Sequence, residues 1–108
     1  MQLRLSKPWR ALTGEEVAHL PGYLGVYELA DETGQVLYVG YAGGNSLFGL
    51  RSALQGHLGA PGVARFRFEV NTQYMSRYHE LLMLHARDHG DIPAMNRSNR
   101  PRRRSPVG

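Results

Sequence analysis

The 108-residue chain contains no cysteine. That excludes disulfides, thiolate zinc sites and a cysteine nucleophile, and it fits an intracellular location. Long hydrophobic runs are missing too. No stretch approaches the ~20 apolar residues of a membrane span, and Met1 to Pro8 lacks the apolar core of a signal peptide. The expectation is a soluble, cytoplasmic protein without membrane contact. Net charge is scarce in the body of the chain. The sequence has 13 basic and 9 acidic residues, but Arg97, Arg100, Arg102, Arg103 and Arg104 all fall in the last dozen positions. Residues 1–96 set eight basic side chains against nine acidic ones, a balance of −1. Basic character therefore belongs to the tail, which weakens the usual step from high pI to a nucleic-acid-binding body.

What the chain does have is two tripeptides, Gly25-Val26-Tyr27 and Tyr38-Val39-Gly40, in neighbouring segments rich in strand formers. Asp31-Glu32-Thr33-Gly34 between them has the chemistry of a hairpin turn. If Asp31 pairs with Gly34, Leu29 falls opposite Val36 and Tyr27 opposite Tyr38, with the two phenols side by side. Gly25 and Gly40 leave room for a close approach of backbone or ligand.

The rest of the chain reads in order. Thr13-Gly14-Glu15-Glu16 has capping-box spacing and predicts a short helix over 14–19. After the hairpin, Ser46 is placed to cap a helix running to about Leu58, with Leu47, Leu50, Leu54 and Leu58 as its apolar stripe. Arg65 to Val70 alternates strictly, so Phe66, Phe68 and Val70 should face a core while the charges face solvent. A second long helix is expected over 73–89, stopped by Gly90, with Pro93 ending regular structure. The order β-β-α-β-α predicts a small α+β domain, a three-stranded antiparallel sheet flanked by helices. Residues 1–22 form an N-terminal extension, 23–96 the domain and 97–108 a disordered basic tail. That tail is either a solubilising end or a phosphate-binding arm.

The two tripeptides resemble those that name the GIY-YIG nuclease family, to which the N-terminal nuclease domain of the UvrC repair subunit and certain homing endonucleases belong. The likeness runs from Leu20 to Asn96. In that family an arginine-bearing helix follows the hairpin, then a strand, a helix with a metal-binding glutamate, and an asparagine within Pro-x-x-Asn. The matching positions are Arg51, Glu80 and Asn96 in Pro93-Ala94-Met95-Asn96. The resemblance implies a DNA endonuclease that uses one Mg²⁺ or Mn²⁺ ion on Glu80. Arg51 would hold the scissile phosphate, Tyr27 or Tyr38 would orient or deprotonate water, and Asn96 would position groups in the same pocket. DNA repair is the expected setting, with Arg97, Arg100, Arg102, Arg103 and Arg104 as further phosphate contacts.

One family position departs. A histidine or tyrosine often follows the arginine by one turn, and here that residue is Gln55. His57 is no replacement on an ideal helix, since six positions carry it ~240° from Arg51. The alternative is a catalytically degenerate module of the same fold that binds nucleic acid or a protein partner. In that case Arg51 pairs with Glu80 or Glu28 as structural glue. Other motifs fail: His79 and His85 are six apart where a zinc-protease helix needs four, and Gly40 to Gly44 lacks the Lys-Ser or Lys-Thr of a phosphate loop.

Overall fold

A computed structural model describes residues 4–44 and 46–98. Eight elements follow one another: β1 (Arg10–Ala11), α1 (Gly14–Ala18), β2 (Gly25–Ala30), β3 (Val36–Ala42), α2 (Gly49–Gln55), β4 (Arg65–Val70), α3 (Tyr74–His89) and α4 (Ala94–Ser98). The sheet is antiparallel with strand order β1-β4-β2-β3. It thus has four strands rather than three, because the extension adds two residues of strand to the outer side of β4. The architecture is α+β.

Every residue of β2 is buried, since β2 has strands on both sides and helices over both faces. One face carries Tyr27, Leu29 and Phe66 against Val17, Leu20, Leu50 and Leu54 of the α1 and α2 region. The other carries Val26 and Val39 against Leu5 and Leu81, with Tyr74, Tyr78 and Leu82 of α3 packed around them. On the charged side of β4, Arg65 is exposed as the alternation suggested, whereas Arg67 and Glu69 are half-covered by the N-terminal segment and α3, and Val70 at the strand end is exposed.

The hairpin register differs from the simple pairing. Asp31 N–H donates to Gln35 O at 3.1 Å, so the loop is one residue longer, and a bulge between Leu29 and Ala30 adds one more. Tyr27 consequently faces Gly40, and Leu29 faces Tyr38. A one-residue slip would have moved every side chain to the opposite face, but two restore the original parity. Both tyrosines stay on the α2 side. The Asp31 carboxylate accepts from the backbone of Thr33 and Gln35, which fixes this loop.

Helix α1 begins as expected, with Thr13 Oγ1 accepting from Glu16 N–H at 3.2 Å. Helix α2 does not: it starts at Gly49, and the carbonyl of Tyr23 accepts from Leu50 N–H at 2.9 Å where a Ser46 cap was expected. Gly49 has φ +56°, and a Cβ there would lie 2.3 Å from the Tyr23 oxygen, so only glycine admits this approach. The late start leaves Leu47 exposed, and the early end at Gln55 does the same to Leu58. Helix α3 ends as expected, with Gly90 in the left-handed region at φ +88°. Pro93 does not end regular structure, because α4 follows it. Arg97, expected in the tail, lies in α4 and pairs with Asp91 at 3.2 Å. Arg100, Arg102, Arg103 and Arg104 lie outside the described residues. Among the described residues no helix is long and apolar enough to cross a membrane.

Candidate functional site

Tyr27 and Tyr38 come together as the two tripeptides suggested, with ring centroids 6.1 Å apart. The close partner of Tyr27 in the ladder explains one glycine: a Cβ on Gly40 would lie 2.3 Å from the Tyr27 ring. Gly25 is needed for another reason, since a Cβ there would meet the Glu69 carbonyl at 2.1 Å. Neither glycine opens space for a ligand. Both are filled by the protein itself.

A third ring joins the tyrosines. His57 Nε2 lies 2.8 Å from the Tyr27 hydroxyl, and its ring centroid is 5.5 Å from Tyr27 and 5.2 Å from Tyr38. Helical geometry had argued against His57, but α2 has already ended. The chain turns at Gly56, where His57 N–H donates to Leu54 O at 3.0 Å, and that turn brings the imidazole back under the sheet. The signal was Gly56 itself, a residue that weakens the helix before His57. Gln55, one turn after Arg51, is exposed.

Burial sets the protonation states of this cluster. Tyr27 is only 3% exposed, and desolvation, reinforced by the phenols of Tyr38, Tyr78 and Tyr41, pushes its pKa far above the ordinary phenol value. Burial also raises Tyr38, helped by Tyr78 and Tyr41, and lowers His57. At neutral pH the phenol is protonated and the imidazole neutral, so their hydrogen bond joins two uncharged groups, and the imidazole tautomer sets which of them donates.

The other expected residues are elsewhere. Arg51 is half-buried on α2 with its guanidinium carbon 5.0 Å from the centre of the Phe48 ring. It makes no ion pair among the described residues, so neither Glu80 nor Glu28 is its partner. Glu28 is buried and pairs with Arg67 at 2.8 Å, and Arg67 in turn stacks on Trp9 at 4.0 Å. Glu80 pairs with Arg77 at 2.6 Å, and Arg77 also binds Glu69 at 3.0 Å. Glu69 alternates along β4 with Phe66 and Phe68, so this Glu69-Arg77-Glu80 group lies on the α3 side of the sheet. The tyrosines lie on the α2 side.

Those surroundings do not fit a Mg²⁺ or Mn²⁺ ion on Glu80. Such an ion needs carboxylate oxygens free of a competing cation, whereas the Glu80 carboxylate already faces the Arg77 guanidinium. Among the described residues no three His, Cys, Asp or Glu side chains group to hold a metal. Asn96 is buried with its amide bound to one residue of β3: Oδ1 accepts from Val39 N–H at 2.8 Å, and Nδ2 donates to Val39 O at 2.9 Å. It acts as a one-residue strand on the outer edge of β3.

Residues 1–88 match the family model described as Domain of unknown function (DUF7508). The chain belongs to the DUF7508 family. The match spans β1 through nearly all of α3, so the tyrosine–histidine cluster and both flanking ion-pair systems are parts of a DUF7508 domain. No curated protein matches the chain.

Proposed function

We propose that this DUF7508 domain is a GIY-YIG-like module without an assembled nuclease site, and that it binds single-stranded nucleic acid on the α2 side. The likeness to GIY-YIG domains rests on the two tripeptides, on the order of hairpin, helix, strand and helix, and on Pro93 to Asn96. The observation that carries the non-catalytic reading is the position of Glu80, neutralised by Arg77 across the sheet from Tyr27 and Tyr38.

Binding is supported by what surrounds Arg51. Leu47 is 81%, Tyr23 63% and Phe48 48% exposed. The contact between the Tyr23 carbonyl and Leu50 ties the backbones of these segments together. An exposed aromatic pair beside a cation without a carboxylate partner suits bases that stack and a phosphate that needs charge. Such a platform tolerates any base, since each presents a π-face.

A second reading, a phosphodiester hydrolase of the GIY-YIG type, is favoured by the Tyr27–His57 hydrogen bond, because a phenol and a neutral imidazole at 2.8 Å can pass a proton. One experiment separates the two. Labelled single-stranded, duplex and branched DNAs are incubated with the protein in Mg²⁺ or Mn²⁺, and both anisotropy and cleavage are followed. The expected result is salt-dependent binding of the single strand without cleavage. Phe48→Ala and Arg51→Ala should each weaken it about tenfold, in line with ~1–3 kcal/mol for a stacking contact, and Glu80→Ala should leave it unchanged. Metal-dependent cutting that Glu80→Ala and Arg51→Ala both abolish would establish the hydrolase; absence of any binding would sink both readings.

A further inference from the structure

The outer edge of β4 is only half paired. Asn71 N–H donates to Leu24 O at 3.0 Å on the β2 side, and Leu12 N–H donates to Ala64 O at 3.0 Å on the β1 side. In an antiparallel ladder the backbone groups of successive residues point alternately to the two neighbours. Arg67 and Glu69 therefore point to β2, while Phe66, Phe68 and Val70 point outward. Phe66 is paired with Arg10 of β1. In the same register Phe68 would face residue 8, which is Pro8 and has no N–H to give. There the ladder stops.

The chain before β1 instead swings over the α3 face. The Lys7 carbonyl accepts from Arg67 at 3.3 Å, Trp9 stacks on the Arg67 guanidinium, and Leu5 enters the core beside Leu81. No hydrogen bond among the described residues reaches the outward N–H or C=O of Phe68 or Val70. A groove of about 390 Å³ runs along this edge, with Phe68, Glu69 and Val70 on one wall and Lys7, Pro8 and Arg10 on the other.

The charge of the groove selects its occupant. Lys7 is exposed and has no ion pair among the described residues. Arg10 lies over the Phe68 ring with its guanidinium carbon 5.9 Å from the ring centre, and its one carboxylate contact among the described residues, an exposed one with Glu16 at 3.4 Å, is one that water and competing carboxylates exchange readily. The one carboxylate on the wall, Glu69, is already taken by Arg77 and Asn71. A second copy of this edge would bring its own Lys7 and Arg10 against these cations. An acidic strand would not.

We infer that the open edge of β4 is a docking site for an extended acidic peptide segment of a partner protein, which continues the line of β1 and pairs with Phe68 and Val70. Backbone hydrogen bonds supply the pairing, and Lys7 and Arg10 select carboxylate side chains. The site is separate from the α2-side platform and does not depend on it.

The test uses the full chain labelled with ¹⁵N and three capped hexapeptides: alternating Glu and Val, alternating Lys and Val, and the Glu peptide with alternate amides N-methylated. In the free protein the amide protons of Phe68 and Val70 should exchange at least about tenfold faster than those of Arg67 and Glu69. The Glu peptide should shift and protect Phe68 and Val70, whereas the Lys and N-methylated peptides should bind at least about tenfold more weakly. Val70→Pro removes an outward donor and no bond to β2, so it should abolish binding. If that variant does not fold, Lys7→Glu in its place should lose the Glu peptide and gain the Lys peptide. Slow exchange at Phe68 and Val70 without peptide, equal binding of Glu and Lys peptides, or no binding of the Glu peptide at millimolar concentration would each overturn the assignment.

Discussion

On the α2 side of the sheet, polarity is kept uncharged: Tyr27, Tyr38 and His57 form one largely buried cluster of rings as phenols and imidazole, and the cation of α2, Arg51, lies on the Phe48 ring. On the α3 side, polarity is kept as charge, with Glu28 held by Arg67 and a single arginine, Arg77, shared by Glu69 and Glu80. Both solutions answer the same cost, that of removing polar groups from water. They differ in what remains available. Neutral groups leave the half-buried Arg51 without a carboxylate partner among the described residues, whereas paired charges are taken up by each other.

The largest expected effect comes from breaking a charge pair on the α3 side. Arg67→Ala leaves the Glu28 carboxylate buried without its partner, and the domain should lose about 3–5 kcal/mol of stability in denaturant titrations. Burial already raises the Glu28 pKa while Arg67 opposes it. Without Arg67 the carboxyl protonates more readily, so the deficit should shrink as pH is lowered. A deficit unchanged between pH 7 and pH 5 would show that the lost stacking on Trp9, not the charge, carries the effect.

An intermediate effect should follow from crowding the α2 side. Gly40→Ala drives a methyl group into the Tyr27 ring and should cost about 1–3 kcal/mol by overpacking. The resonances of the Tyr27 and His57 rings should move while those of Arg77 and Glu80 stay in place. Shifts spread equally over both faces would mean that the two sides are not independent.

The smallest effect concerns the charge state of His57. Its folded pKa lies below the ordinary 6.5 because of burial, so between those two values the unfolded chain binds more protons. Stability from this group is complete above about pH 6.5 and is lost as pH falls toward the depressed folded value. His57→Gln keeps a hydrogen-bond acceptor for Tyr27 and should flatten that part of the stability profile. An unchanged slope would place the imidazole in water.

The parts of the molecule fixed by neighbours in sequence were legible without coordinates. Thr13 as a cap, Gly90 as a stop, the two tripeptides on adjacent strands and the alternation of β4 all depend on spacings of a few residues. Long-range choices were not. Arg77 and Glu80 are an i,i+3 pair on one helix, but nothing near them says that Glu69 of β4 will join the same guanidinium, and nothing near Ser46 says that the Tyr23 carbonyl will take over its capping role. The register of the hairpin shows why some inferences survive an error. Two one-residue changes cancelled in parity, so the tyrosines met although their assumed pairing was wrong. His57 was hidden for the opposite reason: extending an ideal helix by two residues past its true end rotated the imidazole to the wrong side.

The Asn96 clasp on Val39 has a consequence for strand addition. A free sheet margin can pair with another chain. On the outer edge of β3 the Asn96 amide already takes both the N–H and the C=O of Val39, so a strand laid along that margin would lose its pairing at the middle of β3, and edge-to-edge association there is blunted from within.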